Sequence, residues 1–320
     1  MSTDATPELG VVVVSYNTSE LLDKCLASLE SEMRELPLEA EVWVIDNASD
    51  DGSADMVRRK HPLAQVIELD ENRGFAAANN VLLERWAATS GAAPRWVLAL
   101  NPDTEVRPDA IAGLIGALEA DAGAAIAGPR LEYPDGRLQH GAFRFPGLAQ
   151  VLLDLFPVNR LTDTPLNGRY PAALYDSGRP FRVEFPLGAC MLVRGSALEA
   201  VGALDDGFFM YSEEIDWSRR FSKAGYHALC VPGAVVVHHA GASTGQRRPE
   251  MLTQLWRSRL RYFEKHEPPL RRALLRSAVR AGLRLRLLAD LLAVRRGRMT
   301  EAERAERAVA LVSALRPGPS

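Results

Sequence analysis

The chain has 320 residues, of which 47% are hydrophobic and 25% are charged, a composition typical of a globular protein with a substantial core. Its formal net charge of −3 argues against a nucleic-acid-binding protein. The 3 cysteines are far apart in sequence and show no metal-binding spacing, no apolar stretch is long enough to span a bilayer, and the N-terminus lacks a signal-peptide pattern. We therefore expect a cytoplasmic protein.

The first third of the chain repeats one pattern, in which a short apolar run is followed by a polar loop and then by apolar residues at helical spacing. The four runs are Val11–Val14, Val42–Ile45, Val66–Leu69 and Trp96–Leu100. Four strand-loop-helix units in succession predict an α/β fold with a doubly wound, mostly parallel sheet. Thr18 or Ser19 is the candidate N-cap of the first helix.

In such a sheet the loops that follow the strands open on one edge, and ligands bind there. We expect Ser15 to Asn17, Asp46, Asn72 to Gly74 and Asp103 to meet at this edge. Neither GxGxxG nor GxxxxGK[ST] follows any of the strands, which disfavours a dinucleotide dehydrogenase and a P-loop kinase. The Asp46 carboxylate can accept hydrogen bonds from a ribose hydroxyl or a base N–H.

Asp103 ends the turn Asn101-Pro102-Asp103 that follows the most apolar strand. A hard divalent cation often binds through one or two carboxylates plus substrate phosphates, so Asp103 is the first candidate metal ligand. A turn without any ligand explains the same three residues equally well.

Farther along, the irregular segment from Phe143 to Pro180 is typical of a lid or specificity loop. Gly188 opens a second strand-like run and allows close approach of a ligand. Three carboxylates, those of Glu213, Glu214 and Asp216, then occupy the first turn of a predicted helix beside aromatic residues. Aromatic neighbours can raise a carboxylate pKa toward the range of a general base, and favourable charges at a helix N-terminus are the alternative.

His238 and His239 end a later strand and precede Gly241-Ala242-Ser243-Thr244. They are candidate metal or phosphate ligands if they share an edge with Asp103, and are otherwise structural. From Trp256 to Arg298 leucines and arginines form separate stripes at helical spacing. This pattern predicts a basic amphipathic helix that contacts either an anionic membrane surface or protein, including a second subunit in a homodimer.

Eight motifs occur in a fixed order: VVVVSYN, VIDNASDDGS, ENRGFAAANN, LNPDTEV, GACMLVR, FFMYSEEIDW, HHAGAST and RSRLRYFEKH. As a set they resemble the family 2 glycosyltransferases of the GT-A fold, and among these the bacterial rhamnosyltransferase-like branch. The resemblance implies a flexible N-terminus (1–8), a GT-A domain (9–246) and a basic helical C-terminal extension (247–320).

The resemblance also implies roles for individual residues. The nucleotide-sugar site would consist of Ser15, Tyr16, Asn17, Asp46, Asn72, Arg73, Gly74, Asn79 and Asn101. The ligands of a Mg2+ or Mn2+ ion would be Asp103, His238 and His239, and the acceptor side would be formed by Gly188, Ala189, Asp216 and Trp217. Glu214 would be the catalytic base, with Glu213 as its rival. Two departures stand out: Asn101 replaces the first acid of the DXD motif, and Glu214 stands where the family has Asp.

The implied reaction is an inverting transfer of a sugar from a nucleotide-diphosphate donor to a hydroxyl of a glycan or polyprenyl-linked acceptor. The branch favours dTDP-L-rhamnose, with a UDP-hexose or UDP-N-acetylhexosamine as runner-up donor. A sugar-1-phosphate nucleotidyltransferase would need a glycine-rich N-terminal loop with a basic residue, which Val14-Ser15-Tyr16-Asn17 lacks. A non-catalytic sugar-nucleotide-binding protein is the remaining alternative. We expect a cytoplasmic protein that is either free or peripheral at the inner face of the plasma membrane.

Overall fold

The computed structural model describes residues 7–240 and 248–315. The strands of this part of the chain are β1 (Leu9–Ser15), β2 (Ala40–Asp46), β3 (Ala64–Glu68), β4 (Trp96–Leu100), β5 (Thr104–Val106), β6 (Ala124–Glu132), β7 (Leu138–Gln139), β8 (Ala142–Phe143), β9 (Phe181–Val183), β10 (Phe185–Pro186), β11 (Cys190–Arg194) and β12 (His227–His238). Its helices are α1 (Ser19–Glu35), α2 (Ser53–Lys60), α3 (Gly74–Ser90), α4 (Ala110–Ala120), α5 (Leu148–Leu155), a 3-10 turn (Pro165–Asn167), α6 (Ala172–Asp176), α7 (Gly195–Val201), α8 (Glu213–Lys223), α9 (Arg248–His266), α10 (Pro269–Arg295) and α11 (Glu301–Leu315).

The main sheet has the strand order β3-β2-β1-β4-β11-β6-β12-β5. The four strands predicted first, β1 to β4, are mutually parallel, and β12 runs parallel to β6. Between these two groups β11 is antiparallel to both of its neighbours, β4 and β6. The prediction of an α/β fold with a mostly parallel sheet is therefore confirmed.

The sheet is covered on both faces, which explains why its strands are apolar throughout. Every residue of β1 and β4 is buried. One face packs against α1 and α4 through Leu22, Leu26 and Ile111, and the other packs against α3 through Leu82. Strands buried on both faces are expected to be continuous hydrophobic runs, and this is the signal by which they could be predicted.

The helix α1 begins differently from the prediction. Neither Thr18 nor Ser19 caps it with a side chain. Instead the Ser19 backbone N–H donates to Oδ2 of Asp51 at 2.8 Å, so the cap comes from the loop that follows β2. A cap from 32 residues away cannot be found by inspecting the local sequence.

The described chain divides into two compact units. Among the described residues, the first comprises 7–144, 170–209 and 213–240, and it holds the whole sheet. The second comprises 145–169, 210–212 and 248–315, with α5 and the helices α9 to α11. Among the helices described, none is both long and apolar enough to cross a membrane.

Candidate active site

The loops that follow β1 and β2 are joined to each other by hydrogen bonds. Asn17 has a positive φ of 52°, and its backbone N–H donates to Ser49 Oγ at 3.0 Å. Its side-chain Oδ1 accepts from the Asp50 N–H at 2.9 Å. Ser15 is buried beneath these contacts, and its carbonyl accepts from the Asn47 N–H at 2.8 Å. The predicted strand-end residues of the two loops thus form one connected surface, on which Tyr16 is half-buried.

Asp46 ends β2 with a carboxylate that is only 3% exposed. Ser49 Oγ donates to its Oδ1. Burial raises the pKa of Asp46, and this effect outweighs the opposing effect of the Ser49 hydrogen bond. The hydrogen bonds to this carboxylate come from Ser49, and its two oxygens can accept a further one from a ribose hydroxyl or a base N–H.

Asn47 is a site residue that the sequence reasoning missed. Its side chain is buried and donates from Nδ2 to Asn72 Oδ1 at 2.9 Å, while its Oδ1 accepts from the Arg73 N–H at 2.9 Å. Asn72 Oδ1 accepts a further bond from the Gly74 N–H at 3.0 Å. A single amide therefore fixes the loop after β3 against the loop after β2. Its position directly after Asp46, at the end of a predicted strand, was the available signal.

The loop after β3 also contacts the segment that leads into the acidic helix. Gly74 has φ +81°, and a Cβ there would lie 2.2 Å from the carbonyl oxygen of Phe209. The same oxygen accepts from the Phe75 N–H at 2.8 Å. Only glycine fits this approach. Asn79, a predicted donor-site residue, is instead buried on α3, where its Nδ2 donates to the Phe75 carbonyl at 2.8 Å.

Asp103 and His238 lie side by side because β5, which follows Asp103, pairs with the end of β12. Nε2 of His238 is 3.4 Å from Oδ1 of Asp103, and both side chains are buried. Nδ1 of His238 is hydrogen-bonded to Gln139 Oε1 at 2.8 Å, which fixes the orientation of the ring. The predicted juxtaposition of a strand-end histidine with Asp103 is thus present.

His239 is engaged elsewhere. Its Nε2 is 2.7 Å from Oε1 of Glu105, and its backbone N–H donates to the Asp103 carbonyl at 2.9 Å. Asp103 and His238 are therefore the candidate metal ligands. Across residues 7–240 and 248–315, no three His, Cys, Asp or Glu side chains are grouped so as to hold a metal ion by themselves. The remaining residues of the motif, 241–244, lie outside the described residues.

Gly188 and Ala189 lie between the Asn101 turn and the acidic helix. The Ala189 carbonyl accepts from the Asn101 N–H at 2.9 Å. On the other side, a Cβ built on Gly188 would lie 3.4 Å from Cβ and 3.6 Å from Cγ of Glu214. One two-residue segment is therefore hydrogen-bonded to the turn that carries Asp103 and lies beside the side chain of Glu214.

Helix α8 begins at Glu213, directly after two strained residues. Tyr211 and Ser212 have φ values of 67° and 68°, a conformation that costs a non-glycine residue on the order of 1–3 kcal/mol. Glu213 itself is 6% exposed, and within the described residues its Oε2 has no hydrogen-bond partner. Burial, and next the charge of Glu214, raise the pKa of Glu213 well above its ordinary value. Glu213 therefore retains its proton to a higher pH than an ordinary glutamate.

Two other residues of α8 point into the first unit. Asp216 is fully buried, and its Oδ2 accepts from Arg220 Nε at 2.9 Å. Trp217 is also buried and donates from Nε1 to the Gly202 carbonyl at 2.9 Å. We predicted both on the acceptor side, but their burial argues against contact with an acceptor, and they hold α8 in place instead.

A doubly wound sheet with polar loops at the carboxyl ends of its strands defines the class of α/β proteins that bind a ligand at that edge. The sequence matches the family described as glycosyl transferase family 2 over residues 10–202. A relative from Mycobacterium tuberculosis, named N-acetylglucosaminyl-diphospho-decaprenol L-rhamnosyltransferase, is 32% identical over 291 residues, covering 88% of this chain and 92% of the relative. The chain belongs to glycosyl transferase family 2 and is a glycosyltransferase.

The fold is similar to that of solved GT-A glycosyltransferases. The mannosyltransferase PcManGT of Pyrobaculum calidifontis, solved with GDP-Man and Mn2+, superposes with a TM-score of 0.53 at 19% identity, over 97% of this chain and 86% of that one. Residues 1–349 of S. aureus TarS, solved with UDP-GlcNAc, give a TM-score of 0.54 at 15% identity, over 97% and 82%. The predicted GT-A fold is confirmed.

Proposed function

We propose that this glycosyltransferase transfers L-rhamnose, with inversion, from dTDP-L-rhamnose to a hydroxyl of a lipid-linked glycan. The rhamnosyl and lipid-linked parts of the proposal rest on the relative from Mycobacterium tuberculosis, whose name specifies both and which aligns with 88% of this chain. The assignment of the reacting groups rests on one geometric observation: Ala189 is hydrogen-bonded to the Asn101 turn, and its neighbour Gly188 lies beside the Glu214 side chain.

On the donor side, the residues of the first three strand ends would hold the nucleotide. The Asp46 carboxylate would accept a hydrogen bond from the base or the ribose. Tyr16 and Asn17 would border the nucleoside, and the buried Ser15, whose Oγ is hydrogen-bonded to Thr18 Oγ1 at 3.0 Å, would support this loop from within. The loop fixed by Asn47 would place the Arg73 guanidinium near the diphosphate. Arginine suits this role because its planar donors match phosphate oxygens.

The pair of Asp103 and His238 fits a divalent cation such as Mg2+ or Mn2+. Adjacent ligands of an octahedral ion of this size are about 3 Å apart, close to the 3.4 Å between Asp103 Oδ1 and His238 Nε2. The remaining ligands would be diphosphate oxygens and water, as is usual for Mg2+. When bound, the ion would stabilise the negative charge that builds up on the departing nucleoside diphosphate.

Glu214 would act as the base that removes the proton of the acceptor hydroxyl. The neighbouring Glu213 is the rival; burial raises its pKa, whereas Glu214 is the acid whose side chain lies beside Gly188. A single base suffices, because a single in-line displacement at the anomeric carbon both transfers the sugar and inverts the centre.

The proposal is tested by incubating the full-length protein and Mn2+ with a panel of sugar nucleotides, with and without a short-chain polyprenyl-diphosphate N-acetylglucosamine. We expect slow release of dTDP from dTDP-L-rhamnose alone, and faster release with a rhamnosylated product when the acceptor is present. Turnover of a UDP-sugar in place of dTDP-L-rhamnose would overturn the donor assignment. Binding of donors without any turnover in the presence of acceptor would contradict the proposed reaction.

A further inference from the structure

Helix α10 packs through one face. Leu275, Val279 and Leu283 are buried on that face. Gly282 lies among them, and a Cβ there would come within 2.3 Å of Leu155 Cδ1 on α5. These buried residues are the ones through which α10 packs against the rest of the second unit.

The opposite face of α10 is also apolar, and it is exposed. Five leucines there are between 49% and 86% exposed: Leu270, Leu274, Leu285, Leu288 and Leu292. At 100° per residue they fall on one strip, about 33 Å long at 1.5 Å per residue. Single exposed leucines are ordinary in soluble proteins, but several of them on one strip of a helix indicate an interaction site.

The charge on α10 is of one sign. Between Pro269 and Arg295 the sequence has seven arginines and one acid, Asp290. Asp290 is buried, with Arg286 and Arg307 each 3.6 Å from its Oδ1. Arg284 and Arg295 are exposed and border the leucine strip. The exposed face thus combines apolar side chains with positive charge.

We infer that this outer face of α10 binds the surface of an anionic lipid bilayer. The inference rests on the proposed function, because a lipid-linked acceptor has to be reached at a membrane. The leucines would enter the boundary between headgroups and acyl chains, and the arginines would pair with lipid phosphates. A homodimer through the same strip would place two rows of arginines against each other, so the charge favours lipid.

The test is the co-sedimentation of the full-length protein with vesicles of phosphatidylcholine, with or without phosphatidylglycerol. We expect strong binding only to the anionic vesicles, weakened by salt. The variant Leu285→Asn/Leu288→Asn should bind them at least about tenfold more weakly, since two apolar side chains no longer leave water. The variant Arg284→Gln/Arg295→Gln should lose roughly fivefold per arginine on anionic vesicles.

The matched control is Leu63→Asn/Leu166→Asn, because both of these leucines are 57% exposed, as is Leu288. It makes the same chemical change at two leucines that do not belong to α10 and should bind vesicles like the wild type. All variants should release dTDP from dTDP-L-rhamnose at the wild-type rate in the absence of lipid.

Two results would overturn the inference. One is equal vesicle binding by the wild type and the α10 variants while dTDP release persists, which leaves the proposed function intact. The other is a wild-type dimer in sedimentation equilibrium that the leucine variant converts to a monomer, which would make the strip a subunit interface. Loss of dTDP release in the wild type itself would instead count against the proposed function.

Discussion

The loops after β1 to β3 and the start of α8 both contain buried polar residues, but they differ in how well these residues are hydrogen-bonded. In the loops, polar side chains are paired with one another and with the backbone, as with Asn17 and Asn47. At the start of α8, two consecutive residues have positive φ, and the buried Glu213 has an oxygen without a hydrogen-bond partner among the described residues.

This difference suggests that the loops bind the ligand, whereas the start of α8 takes part in the reaction. A satisfied polar network is rigid and holds a fixed shape for a ligand. Strain and an unpaired buried carboxyl group cost stability, and they persist where they serve a reaction. The comparison therefore predicts that changes in the two regions affect different kinetic constants.

The largest expected effect is that of Glu214→Gln. Removing the base should lower kcat by about a hundredfold or more, with the KM for the donor nearly unchanged, in a transfer assay at saturating acceptor. Glu213→Gln is the matched control, because it makes the same chemical change at the adjacent carboxyl group and should cost less than about tenfold. Equal losses in both variants would show that Glu213 acts in its charged form.

The next effect concerns the metal ligands. Asp103→Asn should lower turnover by on the order of a hundredfold and weaken Mn2+ binding, as measured by calorimetry in the presence of dTDP. His238→Ala should weaken Mn2+ binding as well. His239→Ala should leave Mn2+ affinity close to that of the wild type, because the His239 ring pairs with Glu105. A loss of affinity in His239→Ala that matches the loss in His238→Ala would contradict the placement of the two rings.

Substitutions in the loops after β1 to β3 should lower the affinity for the donor and leave kcat nearly unchanged. Asn47→Ala removes the side-chain acceptor of the Arg73 N–H and one of the two donors to Asn72 Oδ1, so we expect a loss of about 1–3 kcal/mol in the free energy of unfolding and about tenfold in donor affinity. Asn80→Ala is the control, since the Asn80 amide also makes two hydrogen bonds with the backbone: its Nδ2 donates to the Leu204 carbonyl and its Oδ1 accepts from the Leu204 N–H. It should lose similar stability by denaturant titration without losing affinity for dTDP. A similar loss of affinity in both variants would show that the Asn47→Ala effect comes from lower stability and not from the donor loop.

The smallest effect is on pH dependence. Because burial raises the pKa of Asp46, the ionised form that accepts a hydrogen bond is lost as the pH falls through that raised value, above the ordinary aspartate range. Affinity for dTDP should decline with it. Ser49→Ala removes a bond that lowers this pKa, so the decline should move to higher pH. In Asp46→Asn, the pH dependence of dTDP affinity should reflect only the titration of the nucleotide itself. An unchanged pH dependence in Ser49→Ala would show that the Ser49 hydrogen bond does not lower the pKa of Asp46.

The sequence predicted the parallel half of the sheet well, because β1 and β4 are apolar along their whole length and each is followed by a polar loop. It could not predict that β11 lies antiparallel between β4 and β6, since pairing between distant strands leaves no local pattern. The lid predicted from Phe143 to Pro180 stays a prediction, although this segment forms α5, α6 and a 3-10 turn.

Within the site, residue type alone did not distinguish roles. Glu214 and Asp216 are both acids in one helical turn, yet Asp216 pairs with Arg220 four residues later, a spacing that was visible in the sequence. His238 and His239 look equivalent in the sequence, and only the pairing of β12 with β5 directs the side chain of His238 to Asp103. Asn47 was overlooked because it stands in a run of turn-forming residues.

The most direct test of the account is a crystal structure of the protein with Mn2+ and dTDP, in which the metal is located by its anomalous signal. The account predicts one Mn2+ peak about 2.1 Å from Oδ1 of Asp103, with the diphosphate on the metal and the Glu214 carboxylate facing the terminal phosphate across Gly188. A metal bound away from Asp103, or a Glu214 carboxylate turned away from the diphosphate, would contradict it.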